Sequence, residues 1–226
     1  MTALFVTATG TDIGKTFVTA GLIRHLRGAG RTVAAIKPVV SGFDPASWQA
    51  SDPALLLAAL GRPVTLEEVE GVSPWRFKAP LSPNMAAMRE GRPIAFMEVV
   101  EFCRRAMAAA RHGVLLIEGI GGVMVPFDHR HTVLDLMSML RIPVVLVAGS
   151  YVGTISHTFT ALEVLARRNL DITTVIVSES EGSAASLADT VATVQQFADT
   201  IDVIGIPRLP PDTPGHPAFA RIAGLI

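Results

Sequence analysis

Thr9-Gly10-Thr11-Asp12-Ile13-Gly14-Lys15-Thr16 carries glycines, a lysine and a hydroxyl at the spacing that cradles a chain of phosphates. Glycines let the backbone wrap close to an anion, Lys15 reaches the outer phosphates, and the Thr16 hydroxyl can ligate magnesium. The strict pattern asks for glycine at position 9, where this chain has threonine and offers Gly10 instead. Context compensates, because the loop falls between a short apolar β-type run and a helical period. There, backbone N–H groups and the helix dipole converge on an anion. A nucleoside triphosphate with magnesium is the ligand this loop predicts.

Three further residues belong with that chemistry. The chain has only three lysines, Lys15, Lys37 and Lys78, against sixteen arginines, so a compact point charge stands where a guanidinium fork is the local habit. Lys37 follows the run Val33 to Ile36 and should emerge at the same sheet edge as the phosphate loop, facing the γ-phosphate. Glu118 ends the apolar run Val114 to Ile117 and precedes Gly119-Ile120-Gly121-Gly122; a carboxylate at a strand end beside a phosphate loop is where magnesium is held. Asp52, in Ala50-Ser51-Asp52-Pro53, reads either as a second oxygen ligand or as the cap of a helix opening at Pro53. Other residues read as structure. His129 and His131 stand two apart in a polar turn with no third ligand nearby. Phe96, Phe102, Phe159 and the methionines fall at helical core spacing, and Cys103 reads as a small buried apolar residue.

The elements that must position these groups alternate. Strand-like runs at Leu4–Thr7, Val33–Ile36, Val114–Ile117, Val144–Ala148, Thr173–Val177 and Val203–Ile206 are apolar on both faces. Helical periods fill the intervals at Gly14–Arg27, Ala54–Leu60, Phe96–Arg111, Leu134–Leu140, Ile155–Arg168 and Ala185–Phe197. This order predicts a single α/β domain over residues 1–226, with a mostly parallel sheet of P-loop type and helices on both faces. Ser41–Ser51 and Gly71–Asn84, rich in Pro, Ser and Trp, read as substrate loops at the carboxyl edge. Pro207–Pro217, with five prolines, reads as irregular and superficial.

Bulk properties exclude several classes. Half of the 226 residues are apolar and 17% are charged, which sets disorder aside. Mean hydropathy is +0.44, yet the apolar runs are cut by Pro, Gly or charge well short of the ~20 residues of a membrane span. No basic segment precedes Leu4-Phe5-Val6, so a cytoplasmic protein is expected. One cysteine excludes an internal disulfide. A net charge of −1 with interspersed signs argues against a nucleic-acid partner.

With these residues in place, the chain resembles the dethiobiotin synthetases, P-loop enzymes of biotin formation, along nearly its whole length. The resemblance rests on Gly14-Lys15-Thr16, Lys37-Pro38-Val39-Val40-Ser41-Gly42, Ser51-Asp52, Ala79-Pro80-Leu81-Ser82-Pro83, Glu118-Gly119-Ile120-Gly121-Gly122, Val152-Gly153-Thr154-Ile155-Ser156-His157 and Gly205-Ile206-Pro207. It implies ATP-dependent closure of a cyclic urea on 7,8-diaminononanoate with CO2 or bicarbonate, by a homodimer whose substrate tail reaches the partner subunit. Lys15, Lys37 and Ser41 would carry the chemistry, and Thr16, Asp52 and Glu118 would hold Mg2+. Nucleotide contacts would come from Asp12 to Phe17, through Asp12, Ile13, Gly14, Lys15, Thr16 and Phe17. Others would come from Asp52, Glu118, Gly119, Ile120, Gly121, Ser178, Glu179, Pro207, Arg208 and Leu209. Lys37, Ser41, Ser82, Gly121, Gly122, Gly153 and Ser156 would face the diamine. The chain differs from the family at Ala8 (usually glycine), Ser178 (usually an adenine-reading asparagine), Ser156 (usually asparagine) and Asn84 (usually histidine). A partition or septum-placement ATPase on the same fold would carry a lysine at the position of Gly10 and a basic amphipathic end, and a cobyrinate-type amidotransferase would need an appended glutaminase.

Overall fold

In the computed structural model, which describes residues 2–210 and 215–226, six strands form one parallel sheet. They are β1 (Thr2–Ala8), β2 (Val33–Ile36), β5 (Val114–Glu118), β6 (Val144–Gly149), β7 (Ile172–Ser178) and β8 (Asp202–Ile206), in the order β2-β5-β1-β6-β7-β8. Side chains alternate along each strand, so both faces need cover. Along β1, Ala3 and Phe5 turn into one apolar cluster while Leu4, Val6 and Ala8 turn into the other. Helix α1 (Lys15–Gly28) covers the second face, and α2 (Asp52–Ala59) sends Leu56 and Ala59 into that cluster and Ala54 and Leu57 into the first. Helices α5 (Phe96–Ala109), α6 (Val133–Leu140), α7 (Thr154–Arg167) and α8 (Leu187–Phe197) cover the first. The parallel α/β layering expected from the apolar runs is the one observed.

The strand registers bring the candidate residues together. Ile36 lies opposite Ile117, so Lys37, the next residue, leaves the sheet beside Glu118. Val6 lies opposite Glu118, so the loop after Ala8 rises from the adjacent strand.

The two stretches read as loops are partly ordered. β3 (Val39–Ser41) pairs in parallel with β4 (Trp75–Phe77), and Gly71–Asn84 also holds the end of α3 (Leu66–Val72) and the start of α4 (Pro83–Arg89). Ser41–Ser51 contains one short 3-10 turn at Trp48–Ala50. Three-residue strands show no measurable period; what orders them is tertiary, with Phe77 fully buried and Phe43 N–H bonded to the Phe77 carbonyl. α3 had a readable start, since the Thr65 hydroxyl accepts from the Glu68 N–H.

The proline-rich tail departs from expectation at its end. Residues 207–210 are irregular, 211–214 lie outside the described residues, and Pro217 opens a helix, α9 (Pro217–Ala223). Proline fits a first helical position because its missing N–H would be unpaired there anyway. α9 inserts Phe219 against α1 at Gly21, where a Cβ would fall 2.1 Å from the ring. Gly21→Ala should therefore destabilise the protein by about 1–3 kcal/mol through overpacking, despite alanine's helix preference of ~1 kcal/mol. Chemical denaturation reads this directly, and a gain in stability would show that α9 is loosely seated.

Among the described residues no helix is long and apolar enough to cross a membrane. His131 pairs with Asp128 at 2.8 Å and stacks on Phe96, so its ring is part of the packing around the start of α6.

Candidate active site

The turn between β1 and α1 is shaped to hold an anion. Gly14 has φ +102°, which favours glycine, and α1 has no side-chain cap and no acidic residue in its first turn. Gly14 must also stay bare for a second reason: a Cβ there would lie 2.7 Å from the Ser178 hydroxyl at the end of β7. Lys15 is buried and donates to the Gly10 carbonyl at 3.0 Å.

Burial, and then the nearby Lys37 charge, bring the Lys15 pKa down to about 8. A phosphate prefers the charged lysine, so binding raises this pKa, and above about 8 the free enzyme must take up a proton to bind. Affinity for a non-hydrolysable ATP analogue should accordingly weaken as pH rises from about 7 to about 9. Lys15→Arg should be flat over the same interval because a guanidinium stays charged. A wild-type Kd indifferent to pH there would contradict the assigned contact.

Next to the loop sits a charge cluster, buried at Lys37 and Glu118 and partly open to solvent at Asp52. Lys37 Nζ lies 2.6 Å from Asp52 Oδ2 and 2.6 Å from Glu118 Oε1. The Thr16 hydroxyl donates to the same Oε1 at 2.7 Å. Burial alone would depress the Lys37 pKa, but Glu118 and Asp52 outweigh it and hold it above the ordinary lysine value. For Asp52, burial pushes upward, and the Lys37 ammonium prevails and holds the carboxyl below its ordinary value. The helix-cap reading of Asp52 is corrected: Ser51 is the cap residue, α2 begins at Asp52, and the carboxylate turns to Lys37. Glu118 is 1% exposed, and its Oε2 has no hydrogen-bond partner among the described residues. A buried carboxylate oxygen left bare, beside a hydroxyl and a second carboxylate, fits the all-oxygen donor set that magnesium takes.

Two cavities meet at the phosphate loop. One of about 340 Å³ is lined by Thr11 to Phe17, Lys37, Val40, Ser41, Asp52, Ile120 and Gly121. The other, of about 700 Å³, shares Asp12, Ile13, Gly14 and Phe17 and continues to Ser178, Glu179, Ser180, Glu181, Arg208, Leu209 and Pro210. An elongated ligand with its phosphates over Gly14 can therefore reach both. Its far end is framed by Glu179, which accepts from the Arg208 N–H at 2.8 Å, and by the Arg208–Glu181 pair at 2.9 Å. A third cavity, of about 440 Å³ and mostly apolar, lies across the loop between Thr9, Gly10, Gly122, Met124 and Val125 on one side and His157, Thr160 and Val164 on the other.

Most expected site residues line one of these spaces, and some do not. Glu118 lines none of the three and meets the first only through Thr16 and Lys37, which its Oε1 contacts. Gly119 packs instead against β1, where a Cβ would meet the Phe5 ring at 2.9 Å. Pro207 adjoins the 700 Å³ cavity without lining it. The Ser82 hydroxyl donates to Asn84 Oδ1, Gly153 caps α7 in the left-handed region, and Ser156 is exposed on α7; none of the three lines the cavities at the loop. Ser180, Glu181 and the apolar lining around Met124 were missed. Ser180 and Glu181 follow directly on the β7 strand end, the position that should have drawn attention to them.

A family model described as an AAA domain matches residues 2–214, and the site is that of a P-loop nucleotide-binding protein. The ATP-dependent dethiobiotin synthetase of Methylobacterium nodulans is 50% identical over 196 residues, covering 85% of this chain and 87% of that protein. The synthetase of the same name from Caulobacter vibrioides is 48% identical, covering 92% of this chain and 93% of its own length. The chain belongs to the ATP-dependent dethiobiotin synthetase family. Solved structures share the fold alone. The Aquifex aeolicus MinC:MinD cell division complex aligns with TM-score 0.55 at 13% identity, covering 93% of this chain and 83% of that one. Chloroplast FtsY of Physcomitrella patens aligns with TM-score 0.53 at 17% identity, covering 99% of this chain and 64% of that one. The septum-placement reading, which shares that fold, is not favoured beside relatives of about half identity.

Proposed function

We propose that this enzyme converts 7,8-diaminononanoate, CO2 and ATP into dethiobiotin, ADP and phosphate. One amine adds to CO2 and loses a proton, giving a carbamate. A carbamate oxygen attacks the γ-phosphorus and ADP leaves, and the second amine then attacks the carbonyl carbon and displaces phosphate. The supporting observation is that Lys37 and Ser41 line the same cavity as the phosphate loop. The loop thus presents the γ-phosphate to a space that already holds an ammonium and a hydroxyl for an anionic acceptor. Lys15 and Lys37 stabilise the negative charge that spreads over the transferring group, and Ser41 orients the diamine or its carbamate.

Magnesium, held by Thr16, Asp52 and Glu118, would neutralise charge on the β- and γ-phosphates. The nucleotide base extends toward Ser178, Glu179 and Arg208. The protein acts as a cytoplasmic homodimer, with the substrate tail running by Gly122 toward Gly153, Ser156 and Ser82. Met124 and Val152, 54% and 78% exposed, supply apolar surface beside that path.

The reading is tested by ATP hydrolysis with and without diaminononanoate in the presence of bicarbonate and magnesium. Hydrolysis should depend on the diamine, and hydrolysis indifferent to it, with no dethiobiotin formed, would overturn the assignment.

A further inference from the structure

The two carboxylates that hold Lys37 are the residues assigned above to magnesium. Asp52 Oδ2 and Glu118 Oε1 both lie 2.6 Å from Nζ, and Glu118 Oε1 also accepts the Thr16 hydroxyl. Magnesium needs oxygen lone pairs at about 2.0–2.1 Å and a near-ideal octahedron. An ammonium 2.6 Å from one oxygen of each carboxylate crowds an ion bound between them, and the two positive charges repel at that short range. Glu118 Oε2, buried and without a hydrogen-bond partner among the described residues, is a carboxylate oxygen that Lys37 leaves to a cation. Lys37, Ser41 and Lys15 line one cavity, so a released ammonium has room to turn toward the acceptor.

We infer that Lys37 is the resident counter-ion of the magnesium site, displaced from Asp52 and Glu118 when the metal enters and thereby released toward the group that receives the γ-phosphate. The inference rests on the metal set named under the proposed function. It gives the reaction an order, because the lysine is free to act on the acceptor only once the metal has replaced it. Lys15 supplies an internal control: it borders the same cavity with the same charge, yet its ammonium is held on the Gly10 carbonyl rather than on either carboxylate.

The test uses the full chain with Mn2+ alone as the probe. The three lysines make amine acetylation easy to assign by residue. Saturating Mn2+ should raise the acetylation rate of Lys37 several-fold while leaving that of Lys78 unchanged. Lys37→Met should bind Mn2+ about tenfold more tightly than wild type, a typical size for coupling between two ligands. Lys15→Met should gain clearly less, since it removes an equal charge that does not contact the metal oxygens. Mn2+ binding, seen by electron paramagnetic resonance, with unchanged Lys37 acetylation or equal gains in the two variants would overturn the displacement and leave the metal site standing. Absence of Mn2+ binding in wild type and both variants would overturn the metal assignment with it. Because the acetylation arm uses wild-type protein, a poorly folding variant does not remove the test.

Discussion

Lys37→Ala lowers turnover by about 10²–10³-fold or more while nucleotide affinity stays largely intact. The size follows from removing one preorganised charge from a water-poor site where negative charge develops. The selectivity follows from placement. In the proposed function the loop backbone and Lys15 hold the triphosphate, whereas Lys37 is paired to Glu118, 81 residues away in sequence, and lines the cavity together with Ser41. Lys37→Arg should restore little, because a planar fork cannot sit between Asp52 and Glu118 as a point charge does. Single-turnover kinetics with a separate measurement of ATP-analogue affinity distinguishes the alternatives. A variant with near-normal turnover at saturating ATP and only a raised Kd would make Lys37 a phosphate anchor.

Glu118→Ala costs about 3–5 kcal/mol of unfolding free energy in metal-free buffer and abolishes turnover. Lys37 and Glu118 are 3% and 1% exposed, so removing the carboxylate leaves a buried ammonium with Asp52 as its remaining carboxylate partner. The same pair on the surface would be worth ~1 kcal/mol or less. Removing both partners should recover part of the loss, because the penalty lies mainly in the stranded charge. The double-mutant cycle Lys37→Ala with Glu118→Ala therefore gives a coupling well above that of a surface pair. Additive losses would show that the two groups do not share the environment described here.

The parts of this site that were legible in sequence are those at the ends of long apolar strands. Glu118 and Lys37 each follow a run apolar on both faces, and a parallel sheet delivers such residues to one edge whatever the loops do. The phosphate loop was legible through residue types and its strand-to-helix setting, despite Thr9. Asp52 stayed ambiguous because a carboxylate before a proline suits a helix start and a cation equally well, and only its contact with Lys37 decides between them. β3 and β4 were illegible because three residues carry no period, and their pairing joins segments more than thirty residues apart. α9 was hidden by prolines that mark irregular chain in one setting and a helix start in another; the burial of Phe219 against Gly21 is a tertiary fact. The apolar cavity by Met124 depends on how α7 leans on the glycine-rich turn, which no local pattern encodes.

The central claim, closure of a cyclic urea at the expense of ATP, is most directly tested with 13C-labelled bicarbonate and diaminononanoate. The labelled carbon should appear in the ureido group of dethiobiotin, with one ADP formed for each label incorporated. ADP released without label in a urea carbon would contradict the account, whatever the affinity for nucleotide.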